Sequence, residues 1–401
     1  MKSVKIEYID GNKQLGIKYD FNLIKKEFRK LKIPKDVYDP TKLPLDLCKW
    51  FLSMSERSRG KTTNLILLGM VFNKLYGTRI QYIRSGEDKI APKITKNLFD
   101  TIKLYGYVEK LTEGKYNSVE YNSRKWFLCN RDLEGNITEK AETQFMDMLA
   151  VSKSEDYKSG YETGGLGDFI IFDEFIEKTY YPNEFTDFMD LHKTISRGRL
   201  SVIAFLASNT ISKTSPYFSE FMIRDDVDKM ERGDVKLITT PKGTKIIVEI
   251  LGERPADSKK YQEIQNSLYY GFNNSKLASI TGENTWSMFT YPHTPKDFRI
   301  LNRKRYIDHN GKLIQMEICE ELNEHFMFIN CHPATKTYDD SIIYSLEIKD
   351  DKRRKYGFGF TKKDNFLWSF YERGLFRYSD NSTGDLIENY ILMVRKSHTV
   401  H

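Results

Sequence analysis

The chain has 401 residues, a length that predicts two or three domains. Hydrophobic residues make up 39% and charged residues 30%, which excludes a largely disordered chain and a chain built of membrane spans. The net charge of +7 indicates a polyanionic partner and an ordinary basic soluble enzyme about equally well.

The cysteines and the N-terminus predict a reduced, cytoplasmic protein. Cys48, Cys129, Cys319 and Cys331 are too few and too scattered for a disulfide framework, and none has the Cys-x-x-Cys spacing of a zinc site. The first residues, MKSVKIEYIDGNKQ, show no apolar run followed by a cleavage site. No later run reaches the about 18 apolar residues of a spanning helix.

The first 251 residues have the pattern of an α/β domain. A basic helix is predicted over residues 23–32 and is stopped by prolines at 34, 40 and 44. After this N-terminal extension, apolar runs of strand length alternate with helical patterns. The predicted strands are 50–54, 78–84, 169–172, 201–207 and 245–251. Such alternation predicts a mostly parallel sheet that is covered on both faces.

The rest of the chain has a different pattern. Residues 252–284 are polar and rich in Pro and Gly, with one helix predicted over 258–269, and are interpreted as a linker or connector. In residues 285–401, alternating runs at 305–309 and 312–319 flank Asn310–Gly311, a strong hairpin signal, and another strand is predicted at 325–331. We therefore expect a second, strand-rich domain at 285–401.

A phosphate-loop (Walker A) pattern follows the first predicted strand. It departs from G-x-x-x-x-G-K-[ST] at the first position, where Ser55 replaces glycine. The apolar run after it predicts a buried helix, so strand, loop and helix would aim backbone N–H groups at phosphates. We expect Lys61 to reach the β- and γ-phosphates of ATP and Thr62 to hold Mg²⁺. The alternative is a surface loop that caps a core helix. The predicted nucleotide-binding residues are Ser55, Glu56, Arg57, Ser58, Arg59, Gly60, Lys61, Thr62 and Thr63.

Two carboxylates end the apolar strand at 169–172. Ligands of parallel sheets bind beyond the carboxyl ends of the strands, so we expect Asp173 to hold Mg²⁺ and Glu174 to polarise the attacking water. Ser208 and Asn209 follow the next strand, where they would sense the γ-phosphate and couple its loss to motion.

Arginines complete the candidate site. Arg197 and Arg199 precede the 201–207 strand, where either would reach a neighbouring subunit's nucleotide or simply end a basic helix. Arg57, inside the loop, is expected to contact nucleotide or a carboxylate.

Together these motifs resemble the viral genome-packaging ATPases. The run from Ser55 to Thr62, IFDEF at 171–175 and NTISKTSPYFSEF at 209–221 are similar to the encapsidation ATPase of phi29-type small tailed phages. The resemblance covers residues 48–221 by motif and the remainder by domain order. It implies a P-loop NTPase core of the additional-strand catalytic-Glu type with a mostly parallel sheet. A connector and a smaller α+β RNase H-like domain would follow this core.

The resemblance also implies roles and partners. Arg57 matches the loop arginine, Arg197 or Arg199 the arginine acting in trans, and Lys158 a lysine acting across the subunit boundary. The implied assembly is a ring of identical subunits, with five expected, that pumps double-stranded DNA with ATP and Mg²⁺. It would dock transiently on the procapsid portal in the host cytoplasm and bind a structural RNA.

The resemblance makes the C-terminal domain a vestigial nuclease. Two-metal cleavage needs several converging carboxylates, and the candidates are Asp308, Glu317, Asp339 and Asp340. This thin set predicts that nuclease activity is absent. Basic residues interspersed with aromatic ones would instead hold nucleic acid, a solvated charged loop being the alternative. These basic residues are Lys352, Arg353, Arg354, Lys355, Lys362 and Lys363.

The sequence thus predicts a DNA-packaging motor ATPase and leaves two alternatives. One is another ring-forming P-loop DNA translocase. The other is a nucleic-acid-binding scaffold whose degenerate loop does not hydrolyse ATP.

Overall fold

A computed structural model shows two compact units. The first comprises Met1–Ile176, Asn183–Ile211 and Met222–Asn284, and the second comprises Glu177–Pro182, Ser212–Phe221 and Thr285–His401. The residues that the structure describes are 17–55, 58–158, 160–161, 167–177, 180, 183–209, 215–252, 291–346, 350–357 and 365–398. The predicted connector helix at 258–269 lies outside them.

The first unit is built on a large, mostly parallel sheet. Its strands are β1 (Trp50–Met54), β2 (Arg79–Arg84), β3 (Ser118–Asn122), β4 (Lys125–Arg131), β5 (Ile137–Lys140), β6 (Met146–Ala150), β7 (Asp168–Asp173), β8 (Ile203–Ser208), β9 (Val235–Thr239) and β10 (Lys245–Ile250). The order is β3-β4-β6-β2-β7-β8-β1-β10-β9, with β5 paired to β4. The six central strands, from β6 to β10 in this order, are parallel.

Strand β8 lies between β1 and β7, so an additional strand separates the phosphate-loop strand from the strand that ends in Asp173. The topology therefore confirms the predicted additional-strand order. Met54 pairs with Ser208, and Asp173 pairs with Ala207. The carboxyl ends of the three strands consequently meet at one edge of the sheet.

Helix α2 (Lys61–Tyr76) packs closely on this sheet. It is buried on nearly every side from Leu65 to Phe72, as its apolar sequence predicts. Gly69 makes this approach possible, because a Cβ there would lie 2.7 Å from Ile80 and 3.0 Å from Phe169. The rings of Phe72 and Phe169 pack with centroids 5.0 Å apart.

Further helices of the first unit surround the sheet. Helix α1 corresponds to the helix predicted at 23–32. The helices are α1 (Phe21–Arg29), α3 (Pro92–Thr95), α4 (Asp100–Leu104), α5 (Tyr107–Thr112), α6 (Ser154–Tyr157), α7 (Glu184–Ser196) and, after the second unit's α8 (Pro216–Glu220), α9 (Arg224–Asp228).

The second unit has a mixed sheet covered on one face by two helices. Its strands are β11 (Phe298–His309), β12 (Lys312–Glu321), β13 (Met327–Ala334), β14 (Ile342–Ser345), β15 (Arg354–Tyr356) and β16 (Phe376–Tyr378), and its helices after α8 are α10 (Asn365–Glu372) and α11 (Asn381–His398). The order is β15-β14-β11-β12-β13-β16. Strands β11, β12 and β13 are antiparallel, whereas β14 and β15 continue parallel to β11 and β16 lies parallel to β13.

The predicted hairpin at Asn310–Gly311 is confirmed. Both residues have left-handed backbones, with φ of 50° and 69°, and His309 pairs with Lys312 across the turn. Positive φ at both central positions is the requirement of a type I′ turn, which Asn-Gly meets at low cost.

The described residues contain neither a membrane-spanning helix nor a disulfide. No helix among them is long and apolar enough to cross a membrane. All four cysteines lie among them, are buried, and form no disulfide.

Candidate nucleotide site

The phosphate loop joins β1 to α2 as the sequence predicts. Gly60 caps the helix in a left-handed conformation, with φ of 74° and no side-chain cap. Ser58 is also left-handed, with φ of 61°. Successive turns of this kind gather backbone N–H groups into an anion-binding concavity at the helix N-terminus. Glu56 and Arg57 lie outside the described residues, so their predicted roles remain predictions.

Lys61 and the serine that replaces glycine lie in contact. Lys61 is buried, and its Nζ donates a hydrogen bond to Oγ of Ser55. Ser55 is fully buried, and its backbone N–H donates to the carbonyl of Ser208 at 3.2 Å. The departure from the motif therefore supplies a hydroxyl acceptor to the lysine. Thr63 lies half-buried in the first turn of α2.

The carboxylate of Asp173 faces the start of α2. The Thr62 hydroxyl donates to it, with Oγ1 3.1 Å from Oδ1 and 3.0 Å from Oδ2. The Tyr82 hydroxyl, from the neighbouring strand β2, donates to Oδ2 at 2.6 Å. Burial raises the pKa of Asp173, although the charge of Arg84 and the Tyr82 hydrogen bond oppose the rise.

Glu174 is held by two side chains from other strands. Its Oε2 forms an ion pair with Nη2 of Arg84, at the end of β2, and its Oε1 accepts from Nδ2 of Asn209 at 3.2 Å. Its backbone is left-handed, with φ of 55°, a conformation that is uncommon for a residue with a side chain. The side chain is one-third exposed, so it is fixed in place yet open to solvent.

The donor set suits Mg²⁺. Thr62 and Asp173 offer a hydroxyl and a carboxylate in mutual contact, and Mg²⁺ prefers a few such oxygens together with substrate phosphates. Among the described residues no three His, Cys, Asp or Glu side chains cluster as a metal site.

The two candidate trans arginines have different environments. Arg199 pairs with the buried Asp168 and donates to the carbonyls of Ile195 and Ser196. Asp168 begins β7 and Asp173 ends it, so this pair lies about 16 Å from the phosphate edge at 3.3 Å per residue. Arg197 is exposed, and its Nη2 donates to the carbonyl of Tyr161 at 2.8 Å. Lys158 pairs with Glu155 at 2.6 Å and with Asp190 at 2.9 Å.

In the second unit, three of the four candidate metal ligands have described partners in the chain. Asp308 pairs with Arg354 at 2.5 Å. Glu317 accepts from Asn330 at 3.0 Å and lies 3.4 Å from the ring of His332. Burial alone would raise the pKa of Glu317, but the hydrogen bonds from these two side chains outweigh it and lower the pKa.

Asp340, a third of the candidate metal ligands, contacts Lys304. Each of these carboxylates therefore has a cationic partner in its own chain.

In the basic stretch of the second unit, both arginines form ion pairs within the chain. Arg353 contacts Asp351 through two nitrogens, at 3.1 and 2.9 Å, and also reaches Thr337 at 3.1 Å. Arg354 is the partner of Asp308. Lys352 is exposed and Lys355 half-buried, whereas Lys362 and Lys363 lie outside the described residues. Lys352 is thus the most exposed of the four described basic residues of this stretch.

Sequence reasoning missed Tyr82 and Arg84. A signal existed, because Arg84 ends a predicted strand of the parallel sheet, where ligands bind. What was missing was the strand order: only the pairing of β2 with β7 brings Arg84 beside Glu174.

Comparisons with known proteins agree with this architecture. No protein-family model and no curated protein matches the chain. It is similar to a solved structure of the Phi-28 gp11 DNA packaging motor, with 15% identity, a TM-score of 0.51, and coverage of 90% of this chain and 99% of that one. It is also similar to the bacteriophage Phi-29 viral genome packaging motor assembly, with 16% identity, a TM-score of 0.50, and coverage of 91% and 98%. At these identities the likeness shows a shared fold, and its large, mostly parallel α/β core is the one that the motifs predicted.

Proposed function

We propose that this chain, which has the fold of phage DNA-packaging motors, is an ATPase that drives double-stranded viral DNA into a procapsid. One observation carries the proposal: Lys61, Thr62, Asp173 and Glu174 converge at one edge of a parallel sheet with an additional central strand. Phosphoryl transfer needs positioning and charge neutralisation at such an edge.

The side chains have separate tasks in this proposal. Lys61 and the N–H groups at the start of α2 bind the β- and γ-phosphates. Thr62 and Asp173 hold Mg²⁺, which neutralises phosphate charge when bound. Glu174 accepts a hydrogen bond from the attacking water and orients it, while Arg84 and Asn209 fix the carboxylate in the direction of the phosphate edge.

The partners follow from the resemblance rather than from the site. We propose a homo-oligomeric ring, with five subunits expected, that docks on the procapsid portal in the host cytoplasm and contacts a structural RNA. Arg197 is the better candidate to reach a neighbour's nucleotide, because it is exposed whereas Arg199 is bound to buried Asp168. The loop arginine Arg57 and Lys158 keep their proposed roles.

The second unit is proposed to be an RNase H-like domain without nuclease activity. Three antiparallel strands followed by two parallel ones support the fold, and the Asp308–Arg354 pair supports the loss of a metal site. We expect it to bind nucleic acid backbones through Lys352, Lys355 and neighbouring lysines. Wild-type protein should leave linear duplex DNA intact in Mg²⁺ and in Mn²⁺, and metal-dependent cleavage would contradict this assignment.

The ATPase proposal is tested by DNA-stimulated phosphate release. Glu174→Gln should abolish turnover while a fluorescent ATP analogue still binds, because only the residue that orients water is altered. Lys61→Ala should lose both binding and turnover. Glu142→Gln, at an exposed position of the first unit, is the matched control and should behave as wild type.

The same assay separates the alternatives. Wild-type protein with no turnover above the Lys61→Ala background is a scaffold, not a motor. Movement of DNA independent of a portal-bearing procapsid would instead identify another translocase. DNA binding should weaken steeply with salt and depend little on sequence, and strong preference for one site at matched salt would oppose the proposal.

A further inference from the structure

A hydrogen-bonded chain lies beside the phosphate loop and joins the segment before β1 to strands β1 and β10. Ser53, on β1, is fully buried and donates to Oε2 of Glu249 at 3.1 Å. The hydroxyl of Tyr38 lies 2.8 Å from Oγ of Ser53. When Glu249 is ionised, the single hydroxyl proton of Ser53 is directed to it, so Tyr38 is then the donor to Ser53. The chain therefore runs from Tyr38 through Ser53 to Glu249.

Tyr38 also contacts the loop through its backbone. Its N–H donates to the carbonyl of Arg59 at 2.7 Å, and its own carbonyl accepts from Nδ2 of Asn64. The neighbouring Val37 lies 3.4 Å from where a Cβ of Gly60 would stand. The segment preceding β1 thus contacts the loop on both sides of Gly60, while the Tyr38 ring is buried against it.

Glu249 places a carboxyl group within range of the charges of Lys61 and Arg59. It lies on β10 and pairs with Ser53 across the strands. Burial raises its pKa to about 7, while the Ser53 hydrogen bond and the charges of Lys61, Lys42 and Arg59 oppose the rise. A carboxyl group held this way responds to any change in the charge of the loop.

We propose that Tyr38, Ser53 and Glu249 form a positioning chain that sets the phosphate loop for the triphosphate. Tyr38 ties the loop backbone to β1, and Glu249, once it is ionised, provides a counter-charge that offsets the attraction of Lys61 for phosphate. This inference rests on the proposed nucleotide-binding function. None of the three residues touches the reacting atoms; they act through the loop.

Tyr38→Phe removes one hydroxyl and keeps the ring and the backbone contacts. We expect it to raise the Kd for a fluorescent ATP analogue, and the KM for ATP, about fivefold, as for one lost hydrogen bond. The kcat should stay within about twofold, because Glu174 and its partners are unchanged. Tyr76→Phe is the matched control, because it also removes one hydrogen-bonded tyrosine hydroxyl: that of Tyr76 accepts from the N–H of Asp20 at 2.8 Å, away from the loop.

Glu249→Gln tests the charge. In the wild type the carboxyl group ionises as pH rises through about 7, and its charge then competes with phosphate for Lys61 and Arg59. Between pH 6 and 8 the wild-type Kd should therefore rise at least about twofold relative to that of Glu249→Gln. The variant serves as the reference, because titration of the nucleotide affects both proteins equally.

The outcomes are distinct. Tyr38→Phe with wild-type Kd and KM overturns the inference, as does an equal shift in Tyr76→Phe. A ratio of wild-type to Glu249→Gln Kd that is constant with pH also overturns it. If Lys61→Ala binds the nucleotide as tightly as wild type, the proposed function itself fails, and the two failures are thereby distinguished.

Discussion

The ion pair between Arg199 and Asp168 predicts that substitutions of Arg199 and of Arg197 affect the stability of the protein differently. The side chain of Asp168 is fully buried and that of Arg199 is 10% exposed. Arg199→Gln would remove the ion pair and the bonds to the carbonyls of Ile195 and Ser196. Asp168 would keep one described donor, Nε2 of Gln81 at 2.7 Å.

The expected loss of stability follows from the burial of this ion pair. Removing one partner of a buried pair costs about 3–5 kcal/mol, since the remaining charge stays desolvated. In a unit of this size each kcal/mol shifts Tm by about 2–4 °C, so Arg199→Gln should lower Tm by roughly 6–20 °C. Arg197→Gln loses one exposed bond to the carbonyl of Tyr161. It should cost less than about 1 kcal/mol.

Thermal unfolding followed by circular dichroism, with ATPase rates measured below the transition, tests both variants. Arg197→Gln should melt with the wild type and lose DNA-stimulated turnover. Arg199→Gln should melt early and, where still folded, retain turnover. The reasoning is refuted if Arg199→Gln melts with the wild type, or if Arg197→Gln hydrolyses ATP at the full rate.

Three further predictions concern the first unit. Arg84→Gln should lower kcat about 10- to 100-fold with little change in KM, because Glu174 loses its fixed direction; unchanged kcat in steady-state kinetics would contradict this. Burial raises the pKa of Glu249 from 4.5 to about 7, so its contribution to stability is complete below pH 4.5 and is lost as pH rises through 7. The advantage of Glu249→Gln over wild type in chemical unfolding should therefore grow to about 3 kcal/mol at pH 8, and a constant difference would exclude it. Gly69→Ala should cost about 1–3 kcal/mol by overpacking, whereas Gly160→Ala, with open space at its Cβ position, should melt as wild type.

The parts of the site that the sequence revealed are contiguous. Lys61 and Thr62 follow a strand directly, and Asp173 and Glu174 end one, so local patterns suffice to predict them. Tyr82 and Arg84 become visible only when β2 is known to pair with β7, about 90 positions along the chain. That pairing depends on how whole strands pack, which a local pattern does not encode.

The strands and helices likewise divide into those that local sequence patterns predict and those that they do not. Five of the six parallel core strands were predicted within two residues of their observed ends, whereas the sixth, the buried strand β6, was missed. Strands β3 to β5 were missed because they lie at the sheet edge, where half-exposed and polar residues leave little apolar signal. Helix α11 was also missed, although Leu386, Ile387, Tyr390, Ile391 and Val394 recur at helical spacing and are buried.

The close contact at Gly69 has a mechanical consequence. With no side chain between helix and sheet at this position, α2 has little room to slide or tilt over β2 and β7. A displacement at Lys61 must therefore carry the strand ends at Arg84 and Asp173 with it. Helix α2, strands β2 and β7 and the charged residues at the strand ends therefore move as one rigid unit. Conformational change must then occur in the loops that leave this edge of the sheet.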